Sequence, residues 1–228
     1  MMDLSIPALA VSRSHAAKRD SILEAAALVF CREGFAGANI DLVAAEAGVS
    51  RQTIYNHHGD KENLFIAVVR DVTARSNAIF FETLSQFPDK PADLEAELTA
   101  FAVRLRQDCI YNREGRYLRR LIQSEGERYP QLFADWHEYG PGKTWSALAA
   151  RFARLALSGY LELDDPDLAA RHFMALINAD TQIACMLNEV PSTTEIERSA
   201  HAAVSAFLRA YGARAAAPAA TSPKSASA

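Results

Sequence analysis

The sequence lacks the patterns that mark several large classes of protein. Its three cysteines, Cys31, Cys109 and Cys185, are odd in number and far apart, so we expect reduced thiols rather than a disulfide framework. No uncharged apolar run reaches the roughly 18 residues that a membrane-spanning helix needs. The N-terminal segment MMDLSIPALAVSRSHAAKR has no basic residue ahead of its weak apolar stretch, which argues against a signal peptide. We therefore expect a cytoplasmic protein.

Sequence signatures of enzymes are also missing. Nucleophile-elbow, metal-ligand and phosphate-loop spacings do not occur. The pair Asp135 and His137, or Cys109 with a histidine, leaves a catalytic role as an alternative, and oxidation of Cys109 leaves a redox switch as another. The His-His-Gly-Asp run at 57–60 has no fourth metal ligand at motif spacing. We expect no catalytic residue, no metal and no cofactor.

Net charge does not by itself indicate a nucleic-acid partner. The chain has 24 Lys and Arg against 28 Asp and Glu, a formal net charge of −4, and residues 1–61 hold six basic and seven acidic side chains. A DNA-binding domain usually has a basic surface, so we expect few phosphate contacts and a modest salt dependence. The basic residues of this segment do gather at two places, the start of the first predicted helix (Arg13, Lys18, Arg19) and the surroundings of a short polar helix (Arg51, His57, Lys61).

Helical patterning runs through the whole chain. Half of the residues are apolar, and the alternation of β-branched residues that marks strands is missing, so the predicted fold class is all-α. Apolar periodicity and capping residues predict helices over about 17–33, 40–47, 51–57, 61–86, 94–109, 117–123, 130–139, 144–158, 166–188 and 192–211, with a break at Gly140-Pro141-Gly142. The predicted domains are a flexible arm (1–16), a DNA-binding domain (17–62), a ligand-binding and dimerisation domain (63–212) and a disordered tail (213–228).

One short segment has the pattern of a helix-turn-helix. Its first helix places apolar residues at i, i+3, i+4 and i+7, with Asn39 at the N-cap. Gly48 follows the last of them, where many helices end in a left-handed conformation. Ser50 then caps a second helix, Arg51 to His57, in which only Ile54 is plainly apolar, and Asp60 caps the long helix that follows. A surface helix can be this polar too, but the tight turn and the single apolar position favour a helix that enters the DNA major groove.

Four stretches resemble the N-terminal DNA-binding domain of the tetracycline-repressor (TetR) family of transcriptional regulators. They are ILEAAALVFCREGF (22–35), AEAGVS (45–50), TIY (53–55) and KENLF (61–65), in the family's order and at its spacing. His58 departs from the pattern, because the family has phenylalanine or another apolar residue there. Either His58 is buried and hydrogen-bonded, or this end of the domain is looser. Two later stretches, YLRRLIQSEGERYPQLFADWHEYGP and GYLELDDPDLAARHF, resemble the AefR-like C-terminal domain of the family.

The resemblance and the position of each residue together suggest roles in DNA binding. Arg51 and Gln52 lie in the first turn of the second helix and are the predicted base readers, since Arg pairs with guanine and Gln with adenine. Asn56, one turn on from Gln52, can read a further base. The residues that match backbone-contacting positions of the family are Thr53, Tyr55, His57 and Lys61, with Lys61 on a phosphate and packing as the alternative for Tyr55.

A single such domain reads too few base pairs, so we expect a two-fold homodimer on a pseudo-palindromic operator. The last two predicted helices carry several apolar faces, and with their copies they can form a four-helix interface. Part of these faces can equally be monomer core. The predicted dimerisation residues are Phe173, Leu176, Ile183, Leu187, Ile196, Val204, Phe207 and Leu208.

The middle of the chain sets large aromatic residues beside polar groups, which predicts a cavity for a small, largely apolar ligand. The predicted lining residues are Phe101, Tyr117, Trp136, His137, Trp145 and Phe173, with ordinary core packing as the alternative for each. We therefore predict a DNA-binding transcriptional regulator, a repressor that its ligand releases from DNA through a tilt of the long helix from Lys61. The alternative is a regulator of the same fold with no small-molecule effector.

Overall fold

The structure is a computed structural model that describes residues 6–187 and 189–213, without the side chains of residues 6–16, Gln182, Cys185 and Met186. Apart from an isolated bridge between Leu161 and Gly212, its regular elements are helical over these residues, which confirms the all-α prediction. The helices are α1 (Ile6–Gly37), α2 (Ile40–Ala47), α3 (Arg51–His58), α4 (Lys61–Ser85), α5 (Leu94–Leu105), α6 (Arg113–Glu125), α7 (Pro130–His137), α8 (Lys143–Leu157), α9 (Pro166–Ile177), α10 (Thr181–Met186) and α11 (Thr193–Tyr211).

The N-terminal helix differs from its prediction at one end. Helix α1 begins at Ile6, whereas we predicted a flexible arm up to residue 16. Pro7 suits a first helical turn, where its missing amide is not needed, and the alanines that follow favour a helix. Near its other end α1 is kinked at Gly34, whose φ of 67° lies in the left-handed region. The predicted disordered tail lies, beyond Ala213, outside the described residues.

The caps of the helix-turn-helix are those that the sequence predicted. Side-chain oxygens of Asn39, Ser50 and Asp60 accept hydrogen bonds from the backbone amides three residues further on, at the starts of α2, α3 and α4. Gly48 ends α2 with φ 65° and ψ 32°, the left-handed conformation that glycine adopts without steric cost. These contacts are local, and they fix the direction in which α3 leaves the turn.

Two predictions for the C-terminal half were wrong. The Gly140-Pro141-Gly142 sequence does not break the helix but forms a π-helical turn (Glu138–Gly142) that joins α7 to α8. The wider turn accommodates the proline, and Gly140 packs closely against Trp136. The helix from Pro166 does not run to residue 188 but ends at Ile177, before α10 begins. At that end the Asn178 side chain donates to the Met174 carbonyl at 2.7 Å, a local bond that competes with helix propagation.

The buried apolar side chains form two clusters. The first contains the inner faces of α1 to α4 and also Leu118, Leu121, Leu132 and Phe133 from α6 and α7. The second lies among α4, α5, α8, α9 and α11, with the rings of Phe101, Phe152, Phe173 and Phe207 at its centre. Helices α6 and α7 thus pack on the predicted DNA-binding domain, although both lie within the segment that we predicted as a separate domain. No helix of the described residues has the length and hydropathy to cross a membrane.

Candidate DNA interface and ligand cavity

Helix α3 is fixed by one buried side chain and exposes the rest of its polar surface. Ile54 is only 1% exposed, whereas Arg51, Gln52 and Asn56 are exposed. In the structure Gln52 Nε2 donates to Asn56 Oδ1 at 2.9 Å, and Arg51 Nε lies 3.1 Å from Asp41 Oδ1. Because these contacts are solvent-exposed, exchanging them for base edges costs little. The predicted base readers are therefore accessible and share one helix face.

Other residues that we predicted to contact the DNA backbone border this face. Tyr55 is 38% exposed, so packing does not use its whole ring. Thr53 is half-buried, with its hydroxyl 2.8 Å from that of Ser50. His57 is half-buried near the C-terminal end of α3.

Lys61 has a contact that the sequence did not indicate. Its Nζ donates to the Ala38 carbonyl at 2.6 Å and to the Ala36 carbonyl at 3.5 Å. The same group lies 4.6 Å from the centre of the Phe35 ring, within the range of a cation–π interaction. Lys61 thereby ties the start of α4 to the connection between α1 and α2.

His58, which departs from the pattern of the family that the sequence resembles, is half-buried. Its Nε2 is buried and has no hydrogen-bond partner, so neither of our two sequence-based alternatives describes it fully. Burial, followed by the nearby charges of His57 and Arg19, holds the pKa of His58 below its ordinary value. A neutral imidazole therefore takes the place of the usual apolar side chain.

A cavity of about 420 Å³ lies between α4, α6, α8 and the end of α9. This volume is within the range of small-molecule sites. Its walls are mostly apolar, with Trp136 and Trp145 as the largest side chains and Arg119 as the one charged side chain among the described lining residues. Further lining residues are Asn77, Phe80, Cys109, Ile110, Leu118, Ile122, Gln123, Thr144, Met174, Asn178 and Thr181.

Of the six predicted lining residues, only Trp136 and Trp145 are among those that line this cavity. Phe101 and Phe173 are fully buried in the second cluster, with their ring centres 6.3 Å apart. Tyr117 packs against the first cluster instead. His137 is exposed and its ring lies 5.9 Å from that of Trp145. Aromatic residues fill cores and cavities alike, so the sequence could not separate the two roles.

The two cysteine thiols that the structure describes, those of Cys31 and Cys109, are poor nucleophiles. Burial raises the pKa of Cys31 to about 12 and that of Cys109 to about 11. The thiolate is the reactive form, and at neutral pH it is scarcely populated at either residue. A redox switch at Cys109 gains no support from these surroundings, although Cys109 lines the cavity.

Helix α6 lies between the cavity and the DNA-binding domain. On one side Leu118 and Ile122 line the cavity. On the other side Glu125 Oε1 accepts a hydrogen bond from the Phe35 amide at 2.9 Å, and Arg120 Nη1 donates to the Cys31 carbonyl at 3.3 Å. Helix α6 therefore contacts both the cavity and α1.

An exposed apolar stripe runs along α9 and α10. Leu168, Leu176, Ile183 and Leu187 are 38%, 36%, 65% and 62% exposed. Leu168 and Leu176 lie on α9, Ile183 lies on α10, and Leu187 directly follows it. Three of the predicted dimerisation residues belong to this stripe.

The other predicted dimerisation residues are buried or half-buried. Phe173, Ile196, Val204 and Phe207 are buried in the second cluster, and Leu208 packs against it half-buried. We correct the four buried assignments, since a side chain inside the monomer core cannot also meet a partner, and Leu208 stays a prediction. The four buried residues pack α9 and α11 against each other and against α5 and α8.

Two family models match the chain. Residues 22–68 match "Bacterial regulatory proteins, tetR family", and residues 96–213 match "AefR-like transcriptional repressor, C-terminal domain". The chain belongs to the TetR family of transcriptional regulators. This confirms the resemblance seen in the sequence, and it argues against the enzymatic alternative because the family's members are regulators.

Relatives of this TetR-family chain agree with the assignment. A crystal structure of a TetR-family transcriptional regulator from Mesorhizobium loti superposes with a TM-score of 0.78 at 33% identity, covering 87% of this chain and 98% of the other. The Flavonoid-responsive Regulator FrrA superposes with a TM-score of 0.64 at 30% identity, with the same coverage of both chains.

Two curated relatives match part of the chain. The HTH-type transcriptional repressor AcnR of Corynebacterium glutamicum is 41% identical over 64 residues, which are 28% of this chain and 34% of that protein. The HTH-type transcriptional repressor NicS of Pseudomonas putida is 37% identical over 83 residues, which are 36% of this chain and 39% of that protein. The chain thus matches little more than a third of the length of these relatives.

Proposed function

We propose that this TetR-family protein is a cytoplasmic transcriptional repressor that binds a pseudo-palindromic operator as a homodimer. In this proposal α3 of each protomer enters the major groove, and a small, largely apolar ligand in the cavity releases the dimer from DNA. The observation that carries the proposal is the surface of α3, where Arg51, Gln52 and Asn56 stand exposed around the single buried anchor Ile54. The similarity of part of the chain to two named repressors supports it.

In this proposal different side chains contact the bases and the phosphates. Arg51 and Gln52 can each form two hydrogen bonds with a purine edge, which gives sequence discrimination. Lys61 donates two of its three N–H groups to carbonyls of the α1–α2 connection, and the third remains for a phosphate oxygen. Thr53, Tyr55 and His57 border α3 and complete a small set of backbone contacts.

The stripe on α9 and α10 is the proposed dimer surface. Leu176, Ile183 and Leu187 are exposed apolar side chains that a two-fold related copy can cover. Pairing of two protomers through this face sets the distance between their α3 helices. Half-sites on one face of the duplex require about 34–36 Å between these helices.

The cavity and α6 provide the proposed route of ligand control. A ligand that contacts Leu118 and Ile122 acts on the same helix whose far side holds Phe35 through Glu125. Helix α4, which borders the cavity at Phe80, starts at Lys61 beside α3. A ligand that prefers one position of these helices shifts the dimer away from the DNA-compatible state, with a typical coupling of about 1–3 kcal/mol. Ligand control is also consistent with the name of the neighbour FrrA, a flavonoid-responsive regulator.

Selection of binding sites from a pool of random duplex DNA tests the proposal. The full-length protein is expected to enrich an inverted repeat, and Arg51→Ala and Gln52→Ala are expected to weaken binding to the selected site. Each loss should amount to about 1–3 kcal/mol per half-site contact. Arg70→Ala, which removes an exposed arginine of α4 outside the helix-turn-helix, is the matched control. Enrichment of no motif, or equal effects of all three variants, would overturn the assignment of α3.

A further inference from the structure

A buried arginine without full hydrogen bonding lies behind one wall of the cavity. Arg106, in the π-helical turn that follows α5 (Arg106–Ile110), is 1% exposed. Its Nε and Nη1 have no hydrogen-bond partner, and only Nη2 is satisfied, by the Tyr111 hydroxyl at 3.1 Å. A buried cation in this state is costly, so an anion nearby stabilises the protein.

Two hydroxyl groups connect Arg106 to the cavity. The Tyr111 hydroxyl lies 3.2 Å from Thr181 Oγ1, and Thr181 is one of the cavity-lining residues. Either hydroxyl can donate in this pair. If Thr181 donates, the Tyr111 proton is left without an acceptor inside the core, where an unpaired donor is expensive. If Tyr111 donates, the free proton belongs to the hydroxyl of Thr181, a cavity-lining residue that is 1% exposed.

When Tyr111 donates to Thr181, the Thr181 hydroxyl becomes a stronger hydrogen-bond donor. Arg106 polarises Tyr111, and Tyr111 in turn polarises Thr181, since hydrogen bonds in a chain reinforce each other at low dielectric. The lining adds no opposing charge, because Arg119 is the single charged side chain among the described lining residues. An apolar chamber with two tryptophans is thus combined with a positive potential at one wall.

We infer that the cavity binds an apolar organic acid whose carboxylate accepts a hydrogen bond from the Thr181 hydroxyl. Arg106 and Tyr111 strengthen this bond from behind, and the apolar body of the ligand lies against Trp136 and Trp145. Thr181, Tyr111 and Arg106 therefore determine specificity for an acid over its neutral analogues. The inference deepens the proposed function, since it names the chemical class of the ligand that the proposed sensor takes.

Tryptophan fluorescence provides a direct test, because both tryptophans of the chain line the cavity. The DNA-free protein is titrated with phenylpropionate, phenylbutyrate and phenylhexanoate, each paired with its primary amide. We expect at least one acid to change the fluorescence saturably and to bind about tenfold more tightly than its amide, the size expected for a hydrogen bond to a charged group. Equal or weaker binding of every acid, or no binding of any, overturns the inference.

Variants separate the hydroxyl chain from general effects on the cavity. Thr181→Val keeps the shape of the side chain and should reduce the preference for the acid to about twofold or less, while binding of the amide stays unchanged. Tyr111→Phe should do the same without altering the cavity wall. Thr144→Val is the matched control, because the Thr144 hydroxyl also lies at the cavity but donates to helix carbonyls at 3.2 and 3.3 Å. A preference that survives in Thr181→Val, or is lost equally in Thr144→Val, contradicts the inference. The titration contains no DNA, so operator binding is tested independently of it.

Discussion

The carboxylate of Glu125 accepts a hydrogen bond from the backbone amide of Phe35, at 2.9 Å and across 90 residues of sequence. The bond is buried and joins the helix that borders the cavity to the last turn of α1. Gly34, with its φ of 67°, bends α1 immediately before Phe35, whose amide donates this hydrogen bond to Glu125. The DNA-binding domain is therefore held to α6 by a specific polar contact as well as by apolar packing.

Removal of this contact should destabilise the protein. Glu125→Ala leaves the Phe35 amide without a partner in a buried place, which typically costs about 1–3 kcal/mol of the free energy of unfolding. Glu125→Gln retains an acceptor oxygen and should lower the free energy of unfolding less. Urea denaturation measures both, with Glu127→Ala as the control because Glu127 is exposed on the following turn. An unchanged midpoint for Glu125→Ala would show that packing alone holds α6 to α1.

Lys61 and Gln52 should affect DNA binding in different ways. Lys61→Met removes the hydrogen bonds to the Ala38 and Ala36 carbonyls and should lower the free energy of unfolding by about 1 kcal/mol. It also removes a phosphate contact, so it should weaken binding to all DNA sequences alike. The slope of log affinity against log salt should fall by about one for each protomer. Gln52→Ala should leave that slope unchanged and relax the preference at one base pair. Fluorescence anisotropy at several salt concentrations distinguishes the two; an unaltered slope in Lys61→Met would assign Lys61 a structural role only.

His58 should make the stability of the protein depend on pH. Burial lowers the pKa of His58 in the folded state below the ordinary 6.5, so the unfolded chain takes up this proton first as the pH falls. Above pH 6.5 both states are neutral there and no penalty arises. Below it, stability should decrease until the lowered pKa of the folded state is passed.

Two substitutions separate titration from packing at this position. His58→Phe should remove this part of the pH dependence and add about 1 kcal/mol of stability at neutral pH, since it supplies an apolar side chain. His58→Gln should remove the same part of the slope without that gain. Denaturation between about pH 7.5 and about pH 5.5 measures both. A slope that persists in both variants would assign the pH dependence to another group.

The apolar stripe on α9 and α10 should control the oligomeric state. Leu176→Glu and Ile183→Glu place a charge on exposed apolar surface, so each should shift a dimer towards monomer while the monomer fold remains intact. Phe81→Glu, at an exposed apolar position of α4, is the control and should leave the dimer unchanged. Sedimentation velocity measures the shift. Dimers that resist both substitutions in the stripe would place the interface elsewhere.

Local signals account for the features that the sequence predicted well. Asn39, Ser50 and Asp60 cap helices through contacts within three residues, and Gly48 needs its own backbone conformation only. Such features depend on neighbouring residues only and can therefore be predicted from a single sequence. The bounds of α2, α3 and α4 followed from them.

Features that depend on distant residues could not be predicted. The Ala38 carbonyl that accepts the hydrogen bond from Lys61 belongs to the connection between two other helices. The Glu125–Phe35 hydrogen bond joins two of the predicted domains. Phe173 and Ile183 both belong to apolar helix faces, and only the packing of α5 and α8 decides that the first is buried and the second exposed. The role of Arg106 depends on Thr181, which no spacing pattern connects to it.

The central claim is that two α3 helices of one dimer read two half-sites on the same face of the duplex. Insertion of about five base pairs between the half-sites of the selected operator tests it most directly, because half a helical turn moves them to opposite faces. Fluorescence anisotropy should show that the affinity falls to the level of non-specific DNA, and that insertion of about ten base pairs restores part of it. Equal affinity for all three spacings would contradict a two-fold dimer that binds DNA through α3.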